Sequence, residues 1–172
     1  MDLRKQLLKE HSKENTAFIV AHLLDNPQQV DELMHIFIHE TYRLVQRSAW
    51  VVGDLGRFNA SLIKPYIPEL IDNLQKPDLH DASKRNTMRF LQEVTVEEVH
   101  WGVLYDTAMR FLMTNEEAVA IKAFSMTVAF NIVKQVPELK EELQIVVEDL
   151  IPYGTPGIKS RGQKILSALS KL

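Results

Sequence analysis

Two histidines four residues apart, His35 and His39, are the first side chains whose types and spacing could do chemistry. Positions i and i+4 of a helix share a face, so two imidazoles there could bind one metal ion. The intervening residues are Ile36, Phe37 and Ile38, whereas the His-Glu-x-x-His motif places a glutamate directly after the first histidine to serve as general base. We therefore favour a solvated or half-buried histidine pair and predict no metal site.

Four cations recur along the chain at nearly constant intervals. Arg47, Arg85, Lys122 and Arg161 are separated by 38, 37 and 39 residues, and we call them the basic ladder. Such a row could bind phosphate groups. A residue that recurs with a structural repeat usually serves the repeat itself, so a structural role is the favoured interpretation.

A third set combines tryptophan with arginine on one helix. Arg43, Arg47, Trp50, Asp54 and Arg57 follow helical spacing opposite an apolar stripe, and Arg89 follows one turn after Arg85. Tryptophan and arginine are enriched at binding hot spots. We call Arg43, Trp50, Asp54, Arg57 and Arg89 the Trp50 face and predict that it contacts a partner. The sequence leaves open whether neighbouring turns cover the indole.

Motifs for covalent or cofactor chemistry are missing from this sequence. The absence of cysteine excludes disulfides, thiol nucleophiles and cysteine-ligated zinc. The segment Gly53-Asp54-Leu55-Gly56 is neither a dinucleotide fingerprint nor a phosphate loop. These two glycines would either fray their helix or let a neighbour approach closely. We predict no catalytic residue and no cofactor.

The composition is that of an ordinary soluble globular protein. The 172 residues carry a net charge of −3, with 45% hydrophobic and 25% charged residues. The N-terminal sequence has no apolar core of the length that a signal peptide needs, and no stretch near it approaches a membrane span. We expect a cytoplasmic location and no membrane association.

The elements that must position these residues are helices. Helical spacing of apolar residues recurs throughout the chain, as in Val30, Leu33, Met34 and Phe37, and no long alternating stretch predicts a strand. Apolar positions of successive first helices also keep the period, at Leu33, Leu70, Ala108 and Val146. We predict an all-α fold in one domain, 1–172. It has a capping pair in 1–26 and helix pairs at about 27–59, 60–95, 96–135 and 136–172.

We call the first helix of each pair helix A and the second helix B. Helix A has proline early, and helix B has an aliphatic-x-x-Arg/Lys-small pattern such as Leu44-x-x-Arg47-Ser48. In length and in these motifs the pairs resemble HEAT repeats, and more loosely armadillo repeats. The resemblance covers about residues 27–172. It implies a right-handed α-α superhelix, or solenoid, with the B helices on its concave side. It also implies that each cation of the basic ladder bonds loop carbonyls or a nearby acid and ties adjacent repeats together.

Two further resemblances concern activity. The whole chain is similar to short bacterial HEAT-like proteins that have been labelled adenylosuccinate lyase, although the Ser-Ser-x-Met-Pro-x-Lys-x-Asn loop of that lyase superfamily has no counterpart here. Alkylpurine DNA glycosylases built from HEAT-like repeats carry a Trp and an Asp arranged like Trp50 and Asp54. There, the tryptophan would contact the damaged nucleoside and the aspartate would stabilise the developing sugar cation.

The function we expect is that of a non-catalytic scaffold or adaptor that presents its concave helix-B surface to a macromolecule, with a protein as the favoured partner. The alternative is a DNA-binding or glycosylase-like protein, which the net charge of −3 disfavours. A homo-oligomer formed through the last helix is a further option, because Ile165, Leu166 and Leu169 could be exposed there.

Overall fold

The structure is a computed structural model that describes all 172 residues. It contains ten α-helices, five single turns of 3₁₀-helix and no strand, which confirms the prediction of an all-α fold. The helices are α1 (Leu3–Lys9), α2 (Lys13–Asp25), α3 (Val30–His39), α4 (Tyr42–Phe58), α5 (Ile67–Asn73), α6 (Asp81–Leu91), α7 (Trp101–Met113), α8 (Val119–Val133), α9 (Lys140–Tyr153) and α10 (Pro156–Leu169). None of them combines the length and the apolarity that crossing a lipid bilayer requires.

The chain forms two compact units, Met1–Phe90 and Leu91–Leu172. The first unit holds α1 to α5 and nearly all of α6, and the second holds α7 to α10. Helices α1 and α2 lie within 1–26, and the later helices occur two by two within 27–59, 60–95, 96–135 and 136–172.

Local sequence signals explain where several helices begin. The side chains of Asp2 and Ser12 accept hydrogen bonds from the backbone N–H groups of Lys5 and Asn15, which caps α1 and α2. Pro156 occupies the first turn of α10, where its missing N–H costs no helical hydrogen bond.

Helix α4 is the centre of the first unit. It packs against α1, α2 and α3 and buries an apolar stripe that faces them. The buried residues of that stripe are Leu44, Val45, Ala49, Val52 and Leu55. The opposite side of α4 is therefore the side left for polar residues.

Gly53 and Gly56 allow α6 to approach α4 closely. A Cβ atom added at Gly53 would lie 2.9 Å from Asn86 Oδ1, and one added at Gly56 would lie 2.7 Å from Cδ2 of the buried Phe90 ring. Of the two roles that the sequence allows for these glycines, the structure shows the close approach.

The last helix does not expose the apolar residues named for it in the sequence analysis. Helix α10 packs against α8 and α9, and this packing buries Ile165 and Leu169 and half-buries Leu166. The expectation of an apolar dimerisation face formed by these three side chains is wrong.

Two tyrosines make the stability of the fold sensitive to alkaline pH. Burial and a hydrogen bond from Tyr66 to Asp31 raise the pKa of Tyr66 to about 12. In the second unit, burial and a 3.0 Å hydrogen bond to Glu142 Oε2 also raise the pKa of Tyr105. Both phenols therefore stay protonated in the folded chain at pH values where they would ionise in the unfolded chain.

We expect the free energy of unfolding to fall as the pH rises from about 10 towards 12, because the unfolded state binds fewer protons there. Tyr66→Phe should make this fall shallower, since phenylalanine has no proton to lose. Urea unfolding at several alkaline pH values, wild type beside Tyr66→Phe and Tyr153→Phe, measures it. Parallel curves for all three proteins would contradict the role of Tyr66.

Candidate functional site

The Trp50 face lies in the first compact unit. Helix α4 carries Arg43, Trp50, Asp54 and Arg57, and α6 carries Arg89. The helical period places the first four opposite the buried stripe of α4, as the sequence predicts. Their exposure and their partners decide what they can do.

Trp50 is half-buried, between the two outcomes that the sequence leaves open. Its ring packs against the His11 ring, with centroids 4.2 Å apart and planes inclined by 43°. His11 lies in the connection between α1 and α2 and is itself exposed. The indole is thus supported on one side by an aromatic neighbour. Sequence reasoning missed His11, because no local pattern links residues so far apart in the chain.

The charged groups on the C-terminal half of α4 contact one another. Arg57 Nη2 lies 3.3 Å from Asp54 Oδ1, and its guanidinium carbon lies 5.2 Å from the centroid of the Phe58 ring. Phe58 is 64% exposed. An exposed ion pair of this kind contributes under about 1 kcal/mol to stability, so these groups are arranged on the surface rather than required by the core.

The two other arginines differ in their surroundings. Arg43 is exposed and makes no hydrogen bond or ion pair in the structure. Arg89 is half-buried. A Cβ atom added at Gly53, the residue before Asp54, would lie 3.7 Å from the Nη1 atom of Arg89. The close packing of α6 on α4 therefore brings Arg89 beside the polar side of α4.

Two cations of the basic ladder tie elements together. Arg47 Nη1 donates a 2.8 Å hydrogen bond to the carbonyl oxygen of Leu7 in α1. In the second unit, Arg161 Nη1 donates to Thr127 Oγ1 and, at 3.2 Å, to Gln92 Oε1. These bonds join α4 to α1, and α10 to α8, which supports a structural role for both arginines.

The other two cations of the ladder do not form such bonds. Lys122 is only 8% exposed and has no hydrogen bond or ion pair, and Arg85 is exposed and equally without one. The expectation that every ladder cation bonds a loop carbonyl or an acid is therefore wrong: these two bond neither, Arg161 bonds a hydroxyl and an amide oxygen, and Arg47 bonds a carbonyl of α1. The shared period places each cation at the same point of its helix. Whether a hydrogen-bond acceptor lies within reach depends on the neighbouring residues, which differ from repeat to repeat.

We expect Arg47→Ala to lower the free energy of unfolding by about 1 kcal/mol, because it removes the hydrogen bond to the Leu7 carbonyl. Arg85→Ala is the matched control and should change it by less than about 0.5 kcal/mol, because that side chain is exposed and unpaired. Urea unfolding of both variants decides the point. Equal midpoints would show that the bond to Leu7 contributes nothing.

His35 and His39 lie on one face of α3 with their rings 4.9 Å apart. His39 Nε2 lies 2.9 Å from Glu69 Oε1, so its nearest polar partner is a carboxylate rather than the other imidazole. No group of three or more histidine, aspartate or glutamate side chains is arranged to hold a metal ion. Both imidazoles are exposed on the surface of α3.

The comparison with known proteins bears on the whole chain. The family model of the HEAT repeat domain matches residues 3–169, a range that begins with α1 and ends with α10. No match was found among the curated proteins or the solved structures. A family match of this length, together with a wholly helical fold, confirms the resemblance to HEAT repeats. The chain belongs to the HEAT repeat family.

Proposed function

We propose that this HEAT repeat protein is a non-catalytic cytoplasmic scaffold or adaptor that binds a protein partner through the Trp50 face. Members of helical repeat families build extended binding surfaces from successive helices and need no cofactor pocket to do so. The Trp50 face lies on α4 and α6, the second helices of their pairs, which in the family architecture belong to the concave side.

The half-buried indole of Trp50 is the observation that carries this proposal. Its contact with His11 fixes one side of the ring, while exposed Arg43 and Arg57 lie on the same side of α4. A ring that is already held in place loses little conformational entropy on binding and still buries much apolar area. Such an aromatic residue among arginines is typical of the centre of a protein interface.

The charges of the face indicate which partner chemistry it suits. Three arginines, Arg43, Arg57 and Arg89, stand beside one carboxylate, Asp54, which is already paired with Arg57. An apolar protein surface with acidic groups at its rim would complement this arrangement.

The DNA glycosylase-like alternative uses the same two residues, Trp50 and Asp54. It would need an Asp54 carboxylate available to a sugar cation, whereas this carboxylate lies 3.3 Å from Arg57. Duplex binding would also draw on many cationic phosphate contacts, and the net charge of the chain is −3. A salt titration with labelled duplex distinguishes the two: tight binding that weakens steeply with salt would favour the DNA alternative.

Affinity capture from the native host, followed by mass spectrometry, tests the scaffold proposal. Wild type, Trp50→Ala and Tyr153→Ala are compared, the last removing a tyrosine that is 91% exposed on the other compact unit. A protein retained by wild type and Tyr153→Ala but lost with Trp50→Ala supports the proposed face. Partners retained equally by all three would contradict it.

A further inference from the structure

A cleft in the first compact unit, none of whose lining residues belongs to the Trp50 face, has the features of a ligand site. It has a volume of about 420 Å³. One wall is formed by the end of α3 and the start of α4, and the other by the segment that joins α5 to α6. This volume falls in the range of small-molecule sites. We propose that the cleft binds a small neutral molecule that presents a hydrogen-bond donor and an acceptor side by side, as a carboxamide or the edge of a nucleobase does.

Two buried polar side chains in the cleft wall have no partner. Asn73 is 2% exposed and Ser83 is 0% exposed, and both line the cleft. Neither the amide nitrogen nor the amide oxygen of Asn73 is hydrogen-bonded, and the Ser83 hydroxyl is also unpaired. Buried polar groups are nearly always hydrogen-bonded because leaving them unpaired destabilises the fold. These two groups therefore need an explanation beyond stability.

The repeat itself shows that the fold does not require polar residues at these positions. The period that aligns Leu70 with Leu33 and Ala108 places Asn73 in register with Ile36 and Phe111, both of which are buried apolar residues. The period of the basic ladder, which aligns Arg85 with Arg47 and Lys122, places Ser83 in register with Ala120 and with Val45, which is buried and lines the same cleft. The first and third helix pairs thus have apolar side chains at both positions, and the fourth has the exposed charged residues Asp149 and Lys159 there, so a buried amide beside a buried hydroxyl occurs in this pair alone.

The chemistry of the cleft defines its ligand. The side-chain amide of Asn73 carries a hydrogen-bond donor, the NH₂ group, and an acceptor, the oxygen, on the same carbon. It therefore pairs best with a ligand whose own acceptor and donor are adjacent. The apolar walls, formed by residues such as Phe37, Ile38 and Leu79, suit a flat or apolar body.

The charged groups of the cleft balance one another. Lys76 and Asp78, both exposed, contribute one positive and one negative charge to the lining, and Glu40 is paired with Arg4 Nη2 at 2.6 Å. A site without excess charge favours a neutral ligand over an anion or a cation.

Two contacts join the segments that line the cleft. Lys76 Nζ donates a long, 3.5 Å hydrogen bond to the Ile38 carbonyl, and the Tyr42 and His80 rings meet edge to face at 4.3 Å. Both Lys76 and Tyr42 are exposed, so a ligand can displace these contacts at small cost to reach Asn73 and Ser83.

The first arm of the test uses nicotinamide and 9-methyladenine as probes. Their controls, N,N-dimethylnicotinamide and 9-methyl-6-dimethylaminopurine, have no N–H donor. We expect the Asn73 side-chain NH₂ signals in ¹H–¹⁵N spectra to shift with at least one probe, with Kd of about 1 mM or tighter, and not with its control. The probe that shifts them identifies the carboxamide or the nucleobase as the preferred source. No shift with either probe, or equal shifts with the controls, would overturn the proposal.

The second arm compares variants. Asn73→Leu should raise the Tm of the free protein and weaken probe binding at least tenfold, as measured on backbone amides near the cleft. Thr87→Val is the matched control: it removes another buried, unpaired hydroxyl on α6 that does not line the cleft, so it should raise the Tm and keep binding. Ser83→Ala gives an independent reading, with the same expectation as Asn73→Leu. A lower Tm for both Asn73→Leu and Ser83→Ala would show that these groups are satisfied by bound water that the fold requires, which contradicts a ligand site.

Discussion

Replacing Gly56 with alanine is expected to lower the free energy of unfolding by about 2 kcal/mol, although alanine is the better helix former. The new methyl group would lie 2.7 Å from Cδ2 and 3.2 Å from Cε2 of Phe90. That ring is buried and 5% exposed, so it has no free volume into which to move. Helix α6 must shift away from α4, which loosens the packing beside Arg89.

Gly102→Ala is the matched control for this substitution. A Cβ atom at Gly102 meets nothing within 4 Å, so alanine there should stabilise α7 by about 0.5 kcal/mol. Thermal and urea unfolding of both variants measure whether each substitution raises or lowers the free energy of unfolding. If Gly56→Ala stabilised the protein as Gly102→Ala is expected to do, this would contradict the close packing of α6 on α4 at Gly56.

Replacing Trp50 with alanine is expected to weaken binding to the captured protein partner by about 2 kcal/mol or more, which is roughly 30-fold in Kd. The reason is geometric. The indole is held by His11 on one side, and its exposed part lies on the same side of α4 as Arg43 and Arg57. Calorimetry with the purified partner measures the loss, and Tyr153→Ala should leave the affinity unchanged.

The melting curve of Trp50→Ala separates a binding residue from a core residue. Because the ring is half-buried rather than part of the buried core, its loss should lower the Tm by no more than about 5 °C. Lost binding with such a melt supports the Trp50 face. A collapsed melt would show that the ring is needed by the core, and unchanged binding would remove Trp50 from the interface.

The helical period was enough to predict the fold. Apolar spacing within each helix and the recurrence of Leu33, Leu70 and Ala108 depend on contacts between residues near in sequence or one repeat apart, so they are visible in the chain itself. The same spacing correctly put Arg43, Trp50, Asp54 and Arg57 on the side of α4 opposite its buried stripe.

The period could not predict how far each position is buried or what it contacts. Arg47 and Arg85 occupy equivalent positions, yet only Arg47 meets a carbonyl oxygen, that of Leu7. The sequence also gave no reason to single out Asn73, because one amide within an apolar pattern is too weak a signal to mark a cleft.

By itself, then, the sequence determined an all-helical HEAT repeat chain and the helix faces on which its polar residues lie. The tertiary structure alone decided that His11 supports Trp50, that Gly56 admits Phe90, and that Asn73 is buried without a partner. The physical reason is that a side chain's direction follows from local helix geometry, whereas its burial and its partners depend on residues brought together from distant parts of the chain.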